Sequence, residues 1–93
     1  MADLLKDVSK FVSKYNDTHT YSQIEWLARG EDMCANAEVS FVAEGELYHL
    51  LNGTNQRSVG HKKTWAKLKK IADKYNCYVE QGFSWSWHFI KVV

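Results

Sequence analysis

The 93-residue sequence has no proline, only two cysteines, and no apolar run near the ~18 residues that a membrane span needs. The lack of proline removes one common marker of domain boundaries, and no linker or low-complexity stretch takes its place. We therefore expect a single domain over residues 1–93. Charged side chains are scattered through the first 15 residues, so no signal peptide is visible and we expect a cytoplasmic protein.

The cysteines and histidines lack the spacing that metal sites require. Cys34 and Cys77 are far apart, and neither has a second cysteine or a histidine at ligand distance in the sequence. Two isolated thiols favour free cysteines in a reducing compartment. The glycines stand singly, so no phosphate-binding loop is present. With no nucleophile and base at a recognisable spacing, the sequence predicts no enzyme, no cofactor and no metal.

Charge is divided unevenly along the chain. Residues 1–52 contain four Lys/Arg and nine Asp/Glu, a balance of −5, whereas residues 53–93 contain eight and two, a balance of +6. Such a division indicates an acidic partner for the basic half, or an attraction between the two halves.

Apolar periodicity at the N-terminus predicts an amphipathic helix. Leu4, Val8 and Phe11 fall on one stripe of a helix over residues 3–15, and Asn16 supplies a left-handed stop. A second, long helix is predicted over residues 58–75 and has Asn76 as the equivalent stop. Both helices therefore end in the same Lys-Tyr-Asn sequence.

Alternation predicts strands over residues 37–43 and in a C-terminal hairpin. In the hairpin, residues 77–81 and 83–92 pair around a turn at Gln81-Gly82. Residues 21–29 and 46–51 suit either helix or strand, with a short helix at 23–29 favoured. The predicted fold is α+β: an amphipathic N-terminal helix and a long basic helix packed on a short antiparallel sheet that includes the C-terminal hairpin.

Aromatic residues alternate with polar ones in the last predicted strand. Phe83, Trp85, Trp87 and Phe89 share one face, and Ser84, Ser86 and His88 share the other. Rings beside positive charge can stack on bases, but clean alternation favours a strand with one buried face. Trp85 and Trp87 would then cover the apolar face of the long helix. The residues expected to be largely buried are Phe11, Leu68, Ile71, Trp85 and Trp87.

The long helix carries the most distinctive charge pattern. Lys63, Lys67, Lys70 and Lys74 are spaced by four, three and four residues and so share one face. A row of this kind can follow a phosphate backbone, although lysine also fills ordinary solvated helix faces. The candidate nucleic-acid contacts are Arg57, Lys62, Lys63, Lys67, Lys70 and Lys74.

Two nucleic-acid modules share features with this arrangement. The helix opening Gly60-His61-Lys62-Lys63 resembles the last helix of a double-stranded-RNA-binding domain, which places paired lysines against phosphates. Residues 46–51, the lysine helix and the terminal hairpin are similar in order to a winged helix, with Gln81-Gly82 as the wing tip. The glycine-serine loop of the first family is missing, and the second normally reads bases with Arg, Asn or Gln. The chain is assigned to neither.

The sequence thus favours a non-enzymatic binding protein whose lysine helix contacts a polyanion, with RNA or DNA backbone as the expected partner. The alternative is a regulator or inhibitor, of the phage accessory or anti-defence type, that acts on a host protein of the nucleic-acid machinery. In that case its acidic first half would make the contact, through Glu31, Asp32, Glu44 and Glu46. Neither hypothesis involves a membrane or a metal.

Overall fold

The computed structural model of the protein describes residues 2–53 and 58–92, with the backbone alone at positions 2, 58 and 59. The described helices are Ala2–Val12 (α1), Gln23–Ala28 (α2), Glu46–Asn52 (α3) and Ser58–Lys74 (α4). The strands are Thr18–Ser22 (β1), Val39–Ala43 (β2), Cys77–Gln81 (β3) and Ser86–Lys91 (β4). All four pair antiparallel in the order β1-β2-β4-β3, so β1 and β3 form the edges. The predicted α+β class is confirmed.

The core lies between one face of the sheet and helices α1, α3 and α4. Phe41 on β2 stands opposite Trp87 on β4, and their rings stack with centroids 5.4 Å apart. Leu68 brings the buried face of α4 into the same cluster. Phe11, Leu68 and Trp87 are buried as predicted, whereas Ile71 is only half-buried at the margin of the core.

The centre of the other face of the sheet is also covered, contrary to the prediction of one solvated face, whereas the edge-strand residues His19, Tyr78 and Glu80 are exposed there. Trp26 of α2 packs on this face and its ring lies 5.0 Å from that of His88. On this face Ser40, Ser86 and His88 are fully or almost fully buried. A six-residue helix with one large ring is hard to recognise in a sequence. The alternation in β4 therefore predicted a solvated face that α2 in part covers.

The hairpin turn is longer than predicted, and its aromatic residues are placed differently. β4 begins at Ser86 and not at Phe83, since Ser86 closes a turn by donating its N–H to the Phe83 carbonyl and accepting the Phe83 N–H at its hydroxyl. Trp85 therefore lies in the turn, half-buried and stacked on Phe83 with centroids 4.6 Å apart. The prediction that Trp85 joins the core was wrong.

Helix α1 ends at Val12, earlier than predicted. The hydroxyl of Thr18 donates to the carbonyl oxygens of Val12 (3.0 Å) and Tyr15 (3.2 Å), which satisfies acceptors that the helix end leaves free. The left-handed residue is Asp17, with φ of 59°, and not Asn16. After α4, Asn76 adopts φ of 58° as predicted.

The ambiguous segment at residues 21–29 divides between the two alternatives. β1 includes Tyr21 and ends at Ser22, where the Ser22 hydroxyl accepts from the Glu25 N–H and the Glu25 carboxylate accepts from the Ser22 N–H. This capping box begins α2 and confirms the favoured short helix. Residues 46–51 are helical in α3, which extends to Asn52.

Candidate functional site

Helices α1 and α4 pack side by side and enclose a groove of about 360 Å³. Its lining consists of two apolar residues, one carboxylate and five lysines: Phe11, Ile71, Asp7, Lys10, Lys14, Lys67, Lys70 and Lys74. One wall is supplied by α1 with the turn that follows it, and the other by α4. The groove therefore draws lysines from both the acidic and the basic half of the sequence.

Most of the groove lysines have no carboxylate partner. Lys10, Lys14, Lys67 and Lys70 are exposed and form no ion pair within residues 2–53 and 58–92. Lys67 and Lys70 are one turn apart on α4, and Lys10 lies in the last turn of α1, so the packing of the two helices brings them to the same groove. Because five lysines meet a single carboxylate here, the groove keeps an excess of positive charge that attracts anions.

The fifth lysine is held by the single carboxylate. Asp7 accepts hydrogen bonds from the Tyr75 hydroxyl (2.6 Å) and from Lys74 Nζ (3.1 Å). The hydrogen bond from Tyr75, and then that from Lys74, lower the pKa of Asp7. The hydrogen bonds to Asp7 likewise raise the pKa of Lys74 and of Tyr75. This network joins the two walls and neutralises one end of the groove.

The floor of the groove offers no ring for base stacking. Phe11 is only 7% exposed, and Ile71 beside it is aliphatic. The groove therefore suits contacts to phosphate rather than to bases, because stacking needs an accessible aromatic face.

The structure separates the predicted lysines into two sets. Lys67, Lys70 and Lys74 line the groove, and the exposed Lys63 lies one turn earlier on the same face. Lys62 and Lys69 share another face, where Lys69 pairs with Asp73 at 3.0 Å. The predicted contact Arg57 lies outside the described residues.

Lys10 and Lys14 were missed by the sequence reasoning. Their i, i+4 spacing was visible in the sequence and places them on one side of the predicted helix over residues 3–15, although α1 ends at Val12 and Lys14 lies in the turn that follows. What was missing is the packing partner, because nothing in the spacing shows that this side of α1 meets α4.

Two of the acidic residues of the alternative hypothesis lie close to an arginine. Glu31 lies 4.0 Å from Arg29, whose guanidinium also stacks over Tyr21 at 4.9 Å. Arg29 and Glu44 both line a pocket of about 550 Å³ on the outer side of the sheet. Asp32 and Glu46 are exposed, and Glu46 begins α3. A cation thus lies among the predicted negative groups.

His88 is buried in the sheet, and both of its ring nitrogens contact serine hydroxyls. The Ser40 and Ser86 hydroxyls lie 2.8 Å from Nδ1 and 3.0 Å from Nε2. Burial is the main cause that lowers its pKa from 6.5 to about 4, so the ring is neutral at physiological pH. Fully enclosed, it has no access to a substrate.

The cysteines are free thiols, as predicted, and the surroundings of both favour the protonated form. Burial and then the neighbouring Glu80 carboxylate raise the pKa of Cys34 to about 11, and burial also raises the pKa of Cys77. Among the described residues, no group of three or more His, Cys, Asp or Glu side chains is arranged to hold a metal ion. In the same part of the chain, no helix is long and apolar enough to cross a bilayer.

Comparison with known proteins adds no relative. Neither a scan against family models, nor a search of curated proteins, nor a search of solved structures finds a match for this chain. The resemblances to the double-stranded-RNA-binding domain and the winged helix therefore rest on element order and lysine placement alone.

Proposed function

We propose that the protein is a non-enzymatic binding protein that holds the backbone of RNA or DNA in the groove between α1 and α4. The observation that carries the proposal is the convergence of five lysines from α1, the turn after it and α4 around this groove, four of them without an ion pair in the described part of the chain. A polyanion entering the groove would replace the small cations that otherwise screen these charges, and their release would drive binding.

The dimensions of the groove suit a short stretch of backbone. Lys67 and Lys74 are seven residues apart, which corresponds to about 10 Å along a helix. At the ~3.4 Å rise per phosphate along each strand of a duplex, that length spans about three phosphates. The lysines of α1 would contact the same backbone from the other wall.

The residue types predict binding with little sequence preference. The cations lining the groove are all lysine, which meets a phosphate as a point charge and lacks the paired donors that arginine presents to guanine. Contacts of this kind fix the position of a backbone but do not read bases.

Two charge-reversal variants on the same helix test the proposal. Lys67→Glu with Lys70→Glu changes the groove, whereas Lys62→Glu with Lys69→Glu makes the same change in net charge on the other side of α4. Fluorescence anisotropy with labelled single-stranded RNA, single-stranded DNA and duplex DNA measures the affinities. We expect the groove variant to lose on the order of 100-fold at about 0.1 M salt, since two contacts are lost and two repulsions are added.

The control variant should stay within about threefold of the wild type, because charges outside the contact act only through a screened field. Equal losses in the two variants would mean that net charge and not the groove attracts the polyanion. If the wild-type protein binds none of the three probes even at low salt, the proposal is wrong, and the protein-directed regulator becomes the leading hypothesis.

A further inference from the structure

Strand β3 is an open edge of the sheet whose outward backbone groups are defined by its pairing with β4. The ladder is bracketed by the hydrogen bonds from Val92 N to Asn76 O (2.9 Å) and from Gly82 N to Ser86 O (3.1 Å). Antiparallel pairs alternate between bonded and non-bonded, so the N–H and C=O groups of Cys77, Val79 and Gln81 point away from β4. Within residues 2–53 and 58–92, no backbone group forms a hydrogen bond with these outward groups.

An apolar pocket of about 250 Å³ lies directly beside this edge, between β3 and α4. Its walls are formed mainly by Trp65 and Ala72 from α4 and by Cys77 and Val79 from β3. The indole N–H of Trp65 already donates to the Leu51 carbonyl (2.8 Å), so the ring offers the pocket only apolar surface. A helix beside an open strand, with such a pocket between them, is the arrangement that captures an extended peptide by strand addition.

The charges that line this pocket cancel, and another lysine lies beyond them on the same helix. Lys69 and Asp73 line it and pair with each other at 3.0 Å. Lys62 lies two turns before Lys69 on the same face of α4 and has no ion pair among the described residues. A segment that pairs with β3 would therefore gain from an acidic residue near Lys62, and a second one could compete with Asp73 for Lys69.

We propose that the β3 edge and its pocket bind an extended segment of a partner protein, in which one aliphatic side chain enters the pocket and acidic residues flank it. The backbone of the segment would pair with Cys77, Val79 and Gln81, and the pocket and the lysines would supply the selectivity. This site is separate from the lysine groove and does not depend on the proposed nucleic-acid binding.

A second copy of the chain does not fit as the occupant. Because α4 packs over β3, joining two copies through β3 would bring their α4 helices to about one strand spacing, ~4.8 Å, whereas packed helices need about 8–10 Å. The β1 edge is the less suitable place for the same segment, since the pocket beside it is lined largely by polar residues that include Ser9, Ser13, Asn16 and Asp17.

Amide hydrogen exchange measured by NMR tests the site with three synthetic heptapeptides. The first is Asp-Glu-Val-Leu-Val-Glu-Asp, the second replaces its acids with lysine, and the third replaces its central leucine with serine. We expect the first peptide, at about 1 mM, to slow exchange of the outward amides of Val79 and Gln81 at least about tenfold. Tyr78 and Glu80 should change little because their amides already pair with β4.

The two charge-reversal variants exchange their roles in this experiment, so that the former control becomes the test variant. Lys62→Glu with Lys69→Glu should lose the protection, and Lys67→Glu with Lys70→Glu should keep it, which also removes any background from acidic peptide in the lysine groove. Three outcomes overturn the proposal: no protection of these amides by any peptide, equal protection by all three, or protection that rises with protein concentration in the absence of peptide. The last would mean that a second copy occupies the edge.

Discussion

The two long sides of α4 carry the same residue type and differ in their neighbours. On the side that faces α1, Lys67 and Lys70 meet Lys10 and Lys14, and only Lys74 has a carboxylate partner. On the side that faces β3, Lys69 is paired with Asp73 beside an apolar pocket. The first side concentrates uncompensated charge, whereas the second combines a nearly neutral rim with an open strand.

The difference shows that a lysine stripe does not define a binding surface by itself. The six lysines of α4 cannot be told apart by residue type. The element that packs beside each one decides whether its charge adds to the local positive potential or is cancelled. A substitution on the buried face between the two sides tests whether α4 is oriented as described. Single charge changes on each side test whether the two sides differ in binding.

The largest effect is expected from Leu68→Ala, because Leu68 lies on the buried face between the two sides and is fully enclosed. Removing a packed leucine should lower the free energy of unfolding by about 2–5 kcal/mol. Urea unfolding followed by tryptophan fluorescence measures the change. Lys67→Ala is the matched control, and at this exposed position we expect a change under about 0.5 kcal/mol. Similar losses in both variants would contradict the described rotation of α4.

The rotation of α4 is also the part of the fold that the sequence predicts best. Long apolar stripes with polar faces specify α1 and α4, and Asn76 supplies a recognisable stop. β1 was missed because its inward positions, Thr18, Thr20 and Ser22, are small and polar and leave no apolar alternation.

Two other features could not be predicted, because both depend on contacts between distant elements. The burial of His88 depends on Trp26 of α2, which reaches the outer face of the sheet. The groove likewise depends on α1 meeting α4, so the lysines of α4 were found and those of α1 were not.

An effect of intermediate size on the free energy of unfolding is expected from a change of pH, because His88 is buried in the sheet on which α4 packs. The folded state holds the pKa of His88 at about 4, against 6.5 for an ordinary histidine, so the unfolded chain takes up this proton first as the pH falls. The stability that His88 contributes is complete above its unfolded pKa and is lost as the pH falls toward about 4. Between about pH 7.5 and pH 5, the wild type should lose about 2 kcal/mol more than His88→Gln.

Urea midpoints of the two proteins at both pH values check this prediction. The other histidines are common to both proteins, so the difference isolates His88. An equal pH dependence in the two proteins would mean that folding does not lower the pKa of His88.

The smallest effect is expected from Asp7→Asn, which leaves an acceptor for Lys74 and Tyr75 but removes the negative charge from the groove. We expect RNA affinity at low salt to rise by about two- to fivefold, the range that a single exposed charge pair supports. Asp73→Asn makes the same change beside Lys69 on the other side of α4 and should leave the affinity nearly unchanged. An equal rise in both variants would erase the distinction between the two sides.

The central claim is that the binding surface is a groove with two lysine walls and not a stripe on α4 alone. It is tested most directly by the salt dependence of RNA binding in Lys10→Ala with Lys14→Ala, which removes the α1 wall and leaves every lysine of α4 in place. If both side chains contact phosphate, the slope of log K against log salt should become shallower by about 1.4 to 1.8 in total. A slope equal to that of the wild-type protein would show that the α1 lysines make no contact and would contradict the groove.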